Sequence, residues 1–160
     1  MDLNAIRAAI LRQLESDLAM QLKAALTSRD EAIDEESKAE NKYDTHAQEA
    51  AYLAEGQSRI VAELRESISQ FAALPLGTGR EPNRITLGTL VTLQDPKGKT
   101  SLLFLGPRSG GLEVEHSGNR IMVITPASPL GRQLLGAKVG DTIVTTENRS
   151  KNIQRIVTVC

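Results

Sequence analysis

Apolar residues recur at Leu3, Ile6, Ile10, Leu14, Leu18, Leu22, Ala25 and Ala32/Ile33, mostly in steps of three and four. That spacing predicts one long helical seam, with Arg7, Arg12, Gln13, Asp17 and Lys23 turned outward. Asp2 or Asn4 is placed to cap its start. Neither Gly nor Pro occurs between Met1 and Glu55, so nothing forces an early break. A second seam follows at Ala47, Ala50/Ala51, Ala54, Gln57, Val61, Leu64, Ile68 and Phe71. Its small residues come first and its larger ones last, which predicts a slim distal end and a better anchored root. Gly56 sits inside this pattern at a cost of up to ~1 kcal/mol in helix propensity, and it reads as a close helix contact. The helix has to end by Pro75.

After the stretch 76–83, LGTGREPN, the period changes to two. Ile85, Leu87, Val91 and Leu93 alternate with Thr86, Gly88 and Thr92, the pattern of a half-buried strand over 85–93. Further short strands are predicted at 102–105, 112–115, 121–124, 139–144 and 154–159, with turns at 95–99 and 116–119. Between them lies the clearest local signal, residues 126–136. Ser128 suits an N-cap, Pro129 the first helical position and Gly136 the residue after the helix end. About five short strands with one small helix make an α+β fold. The predicted organisation is a helical hairpin over 1–75, a linker over 76–83 and a β domain over 84–160.

Charge changes the picture of the hairpin. Residues 30–44 hold seven acids against Lys38 and Lys42, near the midpoint between the two seams. Two antiparallel arms of about 50 Å each would carry those acids at the far tip, near 34–44. Ser37 and Glu40 fit a capping box that starts the second helix. Charge runs are also commonly a solvated helix face. Residues 1–75 carry 8 Lys/Arg and 14 Asp/Glu, a balance of −6, whereas residues 76–160 carry 11 and 6, a balance of +5. An acidic half joined to a basic half points to two surfaces with different partners.

Composition removes several functions. The aromatics are Tyr43, Tyr52, Phe71 and Phe104 alone, too few for an aromatic-walled pocket or a base-stacking platform. One cysteine, Cys160, excludes an internal disulfide or a cysteine metal cluster. No segment reads as a signal peptide or a membrane span, so a cytoplasmic chain with no membrane partner is expected. A hydrolase would need a base beside its nucleophile, and the two histidines, His46 and His116, fall in different predicted domains. Direct DNA contact through the basic half rests only on scattered Arg and Lys.

Residues 128–136 followed by Val139-Gly140-Asp141 resemble the signature near the end of bacterial transcript-cleavage factors of the GreA/GreB family. There a Ser-Pro helix ends in a Leu-Ile/Leu-Gly step ahead of a strand starting near Val-Gly-Asp. The strand over 85–93, with Gly88 and then Val91-Thr92-Leu93, resembles the first strand of the same domain. Glu40-Asn41, Tyr43 and Glu55-Gly56 before Arg59-Ile60 are similar to the family's hairpin. The resemblance covers most of the chain and identifies it as a divergent member.

The resemblance implies a coiled-coil hairpin and an FKBP-like antiparallel β domain with one short helix. It implies a transcription elongation factor that binds RNA polymerase, its C-terminal domain docking at the secondary channel through Arg132 and Lys138. The hairpin would insert its tip, with Asn41 and Tyr43 also contacting the partner and with indirect contact to nascent RNA. The tip acids, Glu36 and Glu40, would then help cleave backtracked RNA at a Mg²⁺ shared with the polymerase. Neither a cofactor nor a metal is expected in the free protein, which is not itself an enzyme. The family's Asp-x-x-Glu-Asn tip meets Ser37 where the Asp should stand when aligned on Glu40-Asn41. Aligned on Tyr43, it meets Glu36 and then Ala39. The alternatives are therefore a channel occupant that modulates or inhibits without cleavage, and a non-catalytic coiled-coil interaction protein. A prolyl isomerase is disfavoured because Phe104 is the only aromatic after the linker.

Overall fold

The computed structural model describes residues 1–36, 45–77, 84–147 and 150–160. Two long helices come first, α1 (Leu3–Glu36) and α2 (Thr45–Ala73). Asp2 caps α1: its Oδ1 accepts from the Asn4 N–H at 2.9 Å and its carbonyl accepts from the Ile6 N–H at 3.1 Å. At their root the Arg7 guanidinium of α1 donates to the Leu74 carbonyl just past α2 at 3.3 Å. Ile6, Ala9, Ile10 and Leu14 of the first seam are buried, as are Val61 and Phe71 of the second. Leu22 is already exposed, so among the described side chains the first seam is sealed only along its early turns. Gly56 departs from expectation: a Cβ there would meet nothing within 4 Å, so it marks no close contact. The predicted hairpin turn, the Ser37–Glu40 capping box and most of the linker lie outside the described residues.

The chain forms two compact units, Met1–Arg12 with Ser69–Cys160, and Gln13–Ile68. The first contains six strands: β1 (Leu90–Gln94), β2 (Thr100–Leu105), β3 (Glu113–His116), β4 (Asn119–Ile124), β5 (Thr142–Glu147) and β6 (Ser150–Val159). The short helix α3 (Pro129–Leu134) lies between β4 and β5. Spatial order is β3-β4-β2-β1-β6-β5. All neighbours are antiparallel except β2 and β4, which pair in parallel. The parallel pair was not predicted, because strand period reports which face is buried and says nothing of the partner's direction.

Residues 85–89 are not strand. Ile85 is buried, but Gly88 takes φ +86 and a Cβ there would collide with the Pro75 carbonyl oxygen. Gly88 accepts from the Gly77 N–H at 3.1 Å, and Thr86 Oγ1 donates to the Gly77 carbonyl at 3.1 Å. The Gly88 carbonyl and the Thr86 hydroxyl thus fasten the chain leaving α2, while the Gly88 N–H donates to the Leu105 carbonyl at 2.8 Å. The 116–119 turn is as predicted: Ser117 and Gly118 both take positive φ between the paired His116 and Asn119, the backbone of a tight two-residue hairpin.

Both faces of the sheet are covered. Val91, Leu93, Leu103, Leu105, Ile124 and Ile156 cluster with Leu134 of α3. On the opposite face Phe104 meets Phe71 of α2 at a ring-centroid distance of 6.3 Å. Gly106 makes room for that ring, since a Cβ there would lie 2.7 Å from Phe71 Cζ.

Candidate functional site

Helix α3 is built by its caps. Ser128 Oγ accepts from the Gly131 N–H at 2.9 Å and donates to the Thr125 carbonyl at 2.8 Å, with Pro129 opening the helix. Gly136 follows at φ +83 and donates to the Ile85 carbonyl at 2.8 Å. Gly131 sets how close the helix comes, because a Cβ there would collide with the Thr125 carbonyl oxygen. Six residues cannot hold such a position alone. The caps, Gly131 and buried Leu134 do it together.

Beside α3 the sheet leaves a cleft of about 980 Å³, bounded by the β1–β2 turn and by β5 and β6. Its floor is apolar, from Leu103, Met122, Ile124 and Leu130. Lys97 and Lys99 stand on its rim, exposed, in a turn organised by Asp95. Asp95 Oδ1 accepts from the Lys97 and Lys99 N–H groups at 2.9 and 2.8 Å, and Gly98 takes φ +84. Gln133 forms the opposite wall. Its carboxamide donates to the Val144 carbonyl at 2.9 Å and accepts from the Val144 N–H at 3.1 Å. These are the outward-facing groups of edge strand β5, so a side chain closes an edge that would otherwise offer itself for pairing. An apolar floor with a cationic rim is suited to bind a protein segment that is apolar on one side and acidic on the other.

Arg132 is exposed in the last turn of α3. Lys138 is exposed in the turn after it, where its N–H donates to Asp141 Oδ2 at 2.8 Å. Neither is among the residues lining the cleft. Lys97, Lys99 and Gln133 were not singled out from sequence. The available signal was two lysines flanking Gly98 in a predicted turn, with nothing local to say that the turn faces α3. Glu36 is the last described residue of α1. Glu40, Asn41 and Tyr43 lie outside the described residues. Among the described residues no group of three or more His, Cys, Asp or Glu could hold a metal ion. No described helix is long and apolar enough to cross a membrane.

Residues 80–159 match the family model described as "Transcription elongation factor, GreA/GreB, C-term". The chain is similar to the transcription inhibitor protein Gfh1 of Thermus aquaticus, 28% identical over 155 residues, covering 94% of this chain and 89% of that protein. Among solved structures it is similar to Gfh1 of Thermus thermophilus, at 21% identity and a TM-score of 0.40, covering 94% of each chain. It is also similar to a GreA/GreB elongation factor of Nitrosomonas europaea, at 24% identity and a TM-score of 0.40, covering 60% of this chain and 78% of that one.

Proposed function

The chain belongs to the GreA/GreB family of transcription elongation factors, and from that membership we propose that it regulates elongation by binding RNA polymerase and occupying its secondary channel without supporting transcript cleavage. The C-terminal domain is the anchor and the hairpin is the probe. The observation that carries the non-cleaving reading is the tip sequence, Ser37-Lys38-Ala39-Glu40-Asn41, in place of Asp-x-x-Glu-Asn. Mg²⁺ is usually held by one or two carboxylates together with substrate phosphates. Replacing one carboxylate with a neutral hydroxyl halves the charge this pair could give to a Mg²⁺ shared with the polymerase. The name of the Thermus aquaticus relative, a transcription inhibitor, supports the same direction.

For the anchor, the cleft supplies apolar area and its rim supplies positive charge, while Arg132 and Lys138 extend the basic surface beyond it. Asn41 and Tyr43 would meet the partner near the tip, and contact with nascent RNA would be indirect. The second reading, stimulated cleavage, is favoured by Glu36 and Glu40, whose spacing of four would point both carboxylates one way on a continuous helix.

Stalled elongation complexes separate the two. On the proposed reading the wild-type chain slows elongation and adds no cleavage, and Glu36→Ala with Glu40→Ala changes neither result. Cleavage that appears with wild type and vanishes in the double variant would establish the second reading.

A further inference from the structure

The basic residues of the second half gather at two places. Lys97 and Lys99 stand on the rim of the cleft. A second group surrounds the loop between α3 and β5, residues 135–141. Arg132, in the last turn of α3, and Lys138, in the loop itself, are exposed and lie outside the cleft. Two arginines distant in sequence join them. The Arg84 backbone pairs with Lys138 in an isolated antiparallel bridge, and a Cβ on Gly136 would lie 3.7 Å from Arg84 Nη2. Arg155 of β6 is exposed and pairs with Thr142, and a Cβ on Gly140 would lie 3.9 Å from Arg155 Nη2. One guanidinium therefore lies against each of the two loop glycines. The one acid among residues 130–142 is Asp141, and its Oδ2 is engaged by the Lys138 N–H at 2.8 Å. Charges that are scattered in the sequence are thus brought to one loop by the fold.

We propose that the 135–141 loop is a docking surface for the phosphate backbone of duplex DNA, contacted by Arg84, Arg132, Lys138 and Arg155. Three of the four are arginines, whose planar fork matches phosphate oxygens two at a time. Glycines four positions apart lie at most about 14 Å from one another, and that span holds about four phosphates of one strand. A duplex fits better than a single strand. Phe104 is the only aromatic among residues 84–160 and it is buried, so nothing there can stack an unpaired base. Leu135 and Val139 are exposed in the same loop; an acidic protein partner would use them, and a phosphate backbone has no need of them. Four phosphate contacts bind weakly alone. A chain held on RNA polymerase, as proposed above, would meet DNA at a high effective concentration. The surface itself does not rest on that reading.

Fluorescence anisotropy of the full chain with a short mixed-sequence DNA duplex, in the absence of polymerase, tests the proposal across about 50–200 mM salt. Log affinity should fall against log salt with a slope of about −3 to −4. Arg132→Gln, Lys138→Gln and Arg155→Gln should each reduce that slope by about 1 and weaken binding equally on any sequence. Together they should weaken binding at least about tenfold at the lower salt. Leu135→Ser with Val139→Ser should leave DNA binding unchanged. No binding at the lowest salt, a triple variant that binds like wild type, or an equal loss with Lys97→Gln and Lys99→Gln overturns the surface. Single-stranded RNA of the same length that binds as tightly as the duplex overturns the choice of DNA. A loss with Leu135→Ser and Val139→Ser as large as that of the triple variant overturns the phosphate reading in favour of a protein partner.

Discussion

Single atoms decide the geometry of the cleft. Gly131 lets α3 sit against the Thr125 carbonyl, and a methyl group there has nowhere to go. Gly131→Ala should cost about 1–3 kcal/mol by overpacking, read as a lower melting temperature. Gln133 acts differently, because its two hydrogen bonds to Val144 are solvent-exposed and contribute about 1 kcal/mol at most. Gln133→Ala should therefore leave the melting temperature nearly unchanged while the Val144 amide exchanges faster. A large drop in melting temperature, or an unchanged Val144 amide, would contradict the edge-closing role. The caps of α3 were legible in sequence because Ser128, Pro129 and Gly136 each act on groups a few residues away. Gln133 was not legible, since its partner lies eleven positions further along on a different element.

At the scale of elements, the root of the hairpin and the sheet share a core. Phe71 fills the space left by Gly106 and meets Phe104. Phe71→Ala should cost about 3–5 kcal/mol, read as a lower melting temperature. Residues 84–160 nonetheless hold a complete apolar cluster on the α3 face. We propose that this fragment folds cooperatively by itself, at a lower melting temperature than the full chain because Phe104 loses Phe71. A disordered NMR spectrum of the fragment would show that the root is required. The two seams were legible as helices because a three-and-four period persists for many turns. Which of their turns are sealed was not, since Leu22 continues the pattern and is still exposed. Similarly, 85–93 alternates throughout, but only its latter half forms strand, because Gly88 turns the chain at φ +86 and gives its carbonyl to the chain leaving α2.

For the whole molecule, the charge asymmetry read from sequence acquires a location. Lys97 and Lys99 place part of the basic half beside an apolar floor, whereas Arg132 and Lys138 stand outside the cleft. Rim charges of this kind act mainly on association rate and salt dependence. Arg132→Glu with Lys138→Glu should accordingly weaken polymerase binding less than the same reversal at the cleft rim. The most direct test of the account is the affinity of the full chain for core RNA polymerase, compared between wild type and Lys97→Glu with Lys99→Glu at matched ionic strength. The wild type should bind, and the double reversal should weaken binding about tenfold, chiefly through a slower association, with the melting temperature unchanged. A wild-type chain that fails to bind core polymerase, or a double variant that binds as tightly as wild type, would contradict it.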